Sequence, residues 1–167
     1  MTGDMKVKLK IKIAVVVIIG LAAIGVCRPA LRAQQSAPAS RSVWDGVYTE
    51  EQAKRGEALY GQECAKCHGA DLSGLDEAPA LSGGAFLANW NELTVGDLFE
   101  RVRLTMPPNK QGRLSRQQIV DILSHVLSVN SFPAGKTELE PKTELLKQIR
   151  IEATKPKANS GSNSMSH

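Results

Sequence analysis

Cys64-Ala65-Lys66-Cys67-His68 gathers two thiols and an imidazole within five residues. Cysteines three apart lie on one face of a helical turn. Thiols so placed suit addition to two vinyl groups on one edge of a porphyrin. The next residue, His68, then supplies a ring nitrogen to the iron. The motif therefore predicts one covalently held haem c, with Cys64 and Cys67 as attachment points and His68 as an axial ligand.

Two other chemistries use Cys-x-x-Cys. A structural zinc site needs four ligands, usually from a second pair. The only other cysteine is Cys27, inside an apolar run, and His125 and His167 are far from the pair and badly spaced. A thiol–disulfide site should follow a strand in an α/β pattern, and the chain shows no such pattern.

Three helices have readable starts. Thr49-Glu50-Glu51-Gln52 and Ser115-Arg116-Gln117-Gln118 fit the capping box, and Thr94-Val95-Gly96-Asp97 is a weaker version. The first helix carries Ala53, Gly56, Tyr60 and Cys64 on one face. Glycine costs ~1 kcal/mol against alanine in a helix interior, so Gly56 on that face suggests a close approach by another helix. The second helix has the stripe Val95, Leu98, Phe99 and Val102. The third has Ile119, Ile122, Leu123, Val126 and Leu127. A short helix after Pro141, carrying Leu145, Leu146 and Ile149, is a weaker expectation, and no stretch reads as a strand. So few helices make a thin core. A haem would supply the missing apolar surface, and the chain without it is expected to fold poorly.

Residues 1–33 read as a signal peptide or an N-terminal membrane anchor. Lys6, Lys8, Lys10 and Lys12 precede an apolar run of 14 residues, Ile13 to Val26. That suits a signal core and is short of the ~20 residues of a membrane span. Cleavage is expected after Ala33. Either form puts the body in the periplasm, soluble after cleavage or held at the inner membrane. Residues 34–42 read as a flexible linker, 43–134 as the domain, 135–152 as an extension with room for a short helix, and 153–167 as a disordered tail.

The formal charge of +4 belongs to the first segment. Residues 1–33 hold six of the 21 basic and one of the 17 acidic side chains, leaving 15 and 16 for the rest. A body so balanced excludes nucleic-acid binding as its function.

The run Gly56-x-x-Leu59-Tyr60-x-x-x-Cys64-Ala65-x-Cys67-His68-Gly69, then Ala78-Pro79-Ala80-Leu81, then Thr105-Met106-Pro107-Pro108, resembles a class I cytochrome c over roughly residues 50–130. Val43-Trp44-Asp45-Gly46-Val47-Tyr48 is similar to segments that precede cytochrome domains accompanying quinoprotein dehydrogenases. The resemblance implies an all-α bundle of three to four helices around a covalent haem. It implies an electron carrier rather than an enzyme, whose partners are redox proteins: a dehydrogenase, an oxidase or another cytochrome.

By that resemblance Pro79 offers its carbonyl to the other ring nitrogen of His68, and Met106 is the sixth ligand. Met106 is the only methionine of the domain. Tyr60 packs where the first and third helices cross. Trp90, with Phe86 and Leu87, either lines the haem pocket with its indole N–H on a propionate or is an ordinary core tryptophan. Arg101 and Arg103 either neutralise propionates, dock a partner or simply face solvent. Trp44 and Tyr48 either cap the body or meet a partner. On a helical wheel His125 falls off the apolar stripe and faces solvent. The alternative is a haem-based gas sensor or peroxidase-like enzyme in which Met106 is displaceable.

Overall fold

The computed structural model describes residues 41–76 and 78–157. The expected signal peptide or anchor, residues 34–40 of the linker and residues 158–167 of the tail lie outside them.

Among the described residues six helices follow one another: α1 (Glu50–Glu63), α2 (Ala65–His68), α3 (Gly83–Trp90), α4 (Val95–Thr105), α5 (Arg116–Val129) and α6 (Thr143–Leu146). The fold is all-α apart from one parallel pair of two-residue strands, β1 (Arg41–Ser42) and β2 (Ile149–Arg150). Two of the helices are additions to the expected set. One is the single turn α2; the other is α3. The strand pair also departs from expectation, and it orders the last two residues of the expected linker.

The caps explain where the long helices begin. Ser115 and Gln118 make the reciprocal pair at α5, and Thr94 with Asp97, the weaker signal, makes it fully at α4. At α1 only half of the box forms. Thr49 accepts from the Gln52 N–H, but the Gln52 side chain turns inward and exchanges two hydrogen bonds with the Leu139 backbone, at 2.8 and 3.0 Å. Gln52 is fully buried, so those two bonds satisfy an amide that burial would otherwise penalise.

Helices α1 and α5 form the most extensive helix–helix contact. Gly56 permits it: a Cβ there would sit 1.8 Å from the Asp121 carbonyl oxygen. Arg55 ties the same crossing, with Nε 3.2 Å from Asp121 and Nη2 2.8 Å from Glu138.

The extension is more than an appendage. Leu139, Leu146, Ile149 and Ile151 are buried in the same core as Val43, Tyr60, Phe99 and Leu127. Burying a side chain of that size contributes roughly 1.5–3 kcal/mol, so this segment thickens the core that the sequence left thin. Trp44 and Tyr48 close the same end. The Trp44 ring meets Phe132 edge-on at 5.0 Å and its Nε1 donates to the Glu152 carbonyl at 2.9 Å. The Tyr48 hydroxyl donates to the Phe132 carbonyl. Both are internal caps. Ala153, assigned to the tail, donates its N–H to Asn91.

Candidate functional site

Cys64 ends α1 and starts α2, so the motif occupies a single turn that continues the first helix after a break. Cys67 is exposed and Cys64 partly covered; burial pushes the Cys64 thiol up to about 11, with Glu63 and Cys67 adding to the shift. His68 is buried, with Nδ1 2.8 Å from the Pro79 carbonyl oxygen. That contact fixes the ring and leaves Nε2 available to a second partner. The turn after the motif is held by Tyr60, whose hydroxyl donates to the Gly69 carbonyl at 2.8 Å. Burial is the first cause that pushes the Tyr60 phenol up to about 12.

Met106 caps the far end of α4, with its N–H bonded to the Val102 carbonyl at 2.9 Å. Pro107 and Pro108 follow, and the Met106–Pro107 peptide is cis.

Cys64, Cys67, His68, Pro79, Trp90 and Met106 line one cavity of about 910 Å³. Its wall is mainly apolar and is built by Leu98 and Val102 of α4 and by Ile122, Leu123 and Val126 of α5. A cavity of this size suits a prosthetic group. Two thiols suit addition to porphyrin vinyl groups, and an imidazole with a thioether is a donor pair appropriate to haem iron. No group of three or more His, Cys, Asp or Glu residues able to hold a bare metal ion occurs among the described residues.

Some expected neighbours stand elsewhere. Phe86 is fully buried in the core and, like Leu87, is not part of the cavity wall. Arg101 lines the cavity; Arg103 does not, because it folds back on Glu100 at 2.6 Å along the same helix. His125 is half-buried rather than solvent-facing. Its ring lies 5.4 Å from that of Tyr60, and burial lowers its pKa, with Glu57 opposing. The reason is the wide buried arc of α5, which includes even Asp121 and Ser124. His125 is not part of the cavity wall.

The sequence did not suggest the carboxylates of Glu63 and Glu100 in the wall. Glu63 pairs with Arg113 at 3.1 Å, joining the helix before the motif to the loop after Met106. Its partner lies far along the chain, so no local pattern signals it.

Residues 51–126 match the family model described as cytochrome c oxidase, cbb3-type, subunit III. Among solved structures, the crystal structure of the sulfane dehydrogenase SoxCD from Paracoccus pantotrophus is 25% identical, with a TM-score of 0.39, over 65% of this chain and 60% of that one. The chain thus spans less than two thirds of that relative's length. No curated protein matches. The motif, the all-α fold around this cavity and the match over residues 51–126 agree: that segment matches a class I c-type cytochrome domain, a family of haem-binding modules of electron transfer.

Proposed function

We propose that the chain is an extracytoplasmic cytochrome with one covalent haem c, carrying single electrons between redox proteins. The observation that carries this reading is the 2.8 Å contact between His68 Nδ1 and the Pro79 carbonyl, in the wall that also holds Cys64, Cys67 and Met106. A haem c bound there supplies a one-electron Fe(II)/Fe(III) couple.

The chain's own residues have separate tasks. Cys64 and Cys67 anchor the group through thioethers. Pro79 keeps the His68 imidazole in one tautomer and orientation, which raises its strength as a ligand. Met106 offers a thioether, a ligand that favours the reduced metal and raises the potential. Were His68 and Met106 both to hold the iron, no position would be open for substrate, which favours a carrier over an enzyme. The apolar wall limits water, while Trp90 and Arg101 are residues of that wall with side chains able to donate hydrogen bonds. Exposed Cys67 marks where the cavity meets the surface. A redox partner approaches there through a small, transient interface.

Place and partner rest on the sequence. Residues 1–33 read as an export segment, so the body lies in the periplasm, free or anchored to the inner membrane. The matched family takes its name from an oxidase subunit. Electrons taken from a dehydrogenase, of the quinoprotein kind by resemblance, would pass towards such an oxidase.

Co-expression of the full chain with a haem c maturation system tests the reading. A denaturing gel stained for haem-dependent peroxidase activity should show haem on the wild type and none on Cys64→Ala/Cys67→Ala. Staining that survives the double change would remove the attachment assignment.

A further inference from the structure

We propose that the C-terminal strap, residues 136–152, is a clamp that sets the position of Met106 by gripping α4, with Thr143 as its central positioning residue. The inference rests on the reading of Met106 as a ligand. The strap lies outside the segment matched to the family, which ends at residue 126.

The strap holds α4 at three heights. Ahead of the helix, the Glu92 N–H donates to the Ile151 carbonyl at 2.9 Å, and the Ile151 N–H donates to the Leu93 carbonyl at 2.8 Å. In the first turn, Gly96 lets the strap come so close that a Cβ would lie 2.7 Å from the Lys147 nitrogen. One turn further, the Thr143 hydroxyl donates to Glu100 Oε1 at 2.8 Å. Glu100 faces the cavity wall, and its carboxyl is held below the usual range, first by Arg103 and then by Thr143.

Thr143 also receives. Arg116, the first residue of α5, donates from Nη2 to the Thr143 hydroxyl at 2.8 Å and from Nε to the Pro141 carbonyl at 2.8 Å. The same guanidinium stacks 4.7 Å over the Phe99 ring of α4. One hydroxyl thus joins α4, α5 and the strap. Helix α4 is continuous from Val95 to Thr105 and its last turn bonds the Met106 N–H, so a grip on its first two turns bears on where the thioether at its end stands.

Thr143→Val keeps the shape and removes the hydroxyl. In the full-chain holoprotein it should weaken the long-wavelength band of Met–Fe(III) ligation. Added imidazole should bind roughly tenfold more tightly, the equilibrium equivalent of a lost hydrogen bond to a charged group. Exchange of the Met106 amide should quicken. Thr143→Ser should restore all three, and Gly96→Ala, which drives strap and helix apart, should shift them as Thr143→Val does. Unchanged band, imidazole affinity and amide exchange in Thr143→Val and Gly96→Ala, even with a lower melting temperature, would overturn the clamp. A wild type without the band would overturn the ligand reading instead. The clamp is then decided by Met106 amide exchange alone: faster in Thr143→Val supports it, and equal rates overturn it.

Discussion

The Tyr60 ring lies 5.4 Å from the His125 ring, at 51°, across the contact of α1 with α5. The same tyrosine reaches with its hydroxyl to the Gly69 carbonyl, one residue past His68. One side chain therefore links the helix crossing to the turn that carries the proposed ligand.

Tyr60→Phe keeps the ring and removes the hydroxyl, leaving the Gly69 carbonyl without this donor. A loss of about 0.5–1.5 kcal/mol is expected in denaturant unfolding. A loss near zero would mean that the bond does not hold the turn.

His125 gives a pH dependence with a defined sign. Its folded pKa lies below the unfolded value of 6.5 because burial disfavours the cation. The stability it contributes is fully present above pH 6.5 and is lost as pH falls through the lower folded value. His125→Gln should flatten that acid-side fall in urea midpoints. An equal fall in both proteins would place the cause elsewhere.

Gly56→Ala sets two effects against each other. Helix propensity favours alanine by ~1 kcal/mol. The new Cβ would fall 1.8 Å from the Asp121 carbonyl, and overpacking of this kind costs roughly 1–3 kcal/mol. The atoms it meets are backbone and cannot swing aside, so the clash should win and thermal unfolding should occur at lower temperature. A stabilised variant would show that α1 and α5 stand further apart.

Several features were legible in the residues. The caps at Thr94 and Ser115 and the close approach at Gly56 follow from local chemistry; Cys64, Cys67 and His68 come from the motif, and Met106, which shares their cavity wall, from the resemblance. Others depend on contacts remote in the chain. Helix α3 opens with Gly83-Gly84, poor helix formers, and lacks a side-chain cap; burial of Phe86 accompanies it. Gln52 left its capping box for the Leu139 backbone. The strap carries a weak helical pattern because Ile149 lies on a strand rather than on α6. A helical wheel misplaced His125 because α5 is buried over most of its circumference.

Localisation follows from the proposed export segment. Fractionation should find the mature chain outside the cytoplasm, and its mass should show whether cleavage falls after Ala33. A haem-free chain confined to the cytoplasm would contradict both place and attachment.

The optical spectrum of the holoprotein, wild type beside Met106→Ala, tests the proposed ligand set most directly. Wild type should show the long-wavelength band when oxidised and resist CO when reduced at neutral pH. Met106→Ala should lose the band and bind CO readily, while Cys64 and Cys67 still hold the haem on a denaturing gel. Rapid CO binding by the wild type, or a band that survives Met106→Ala, would contradict a six-coordinate electron carrier. The first of these results would favour a haem-based sensor or enzyme.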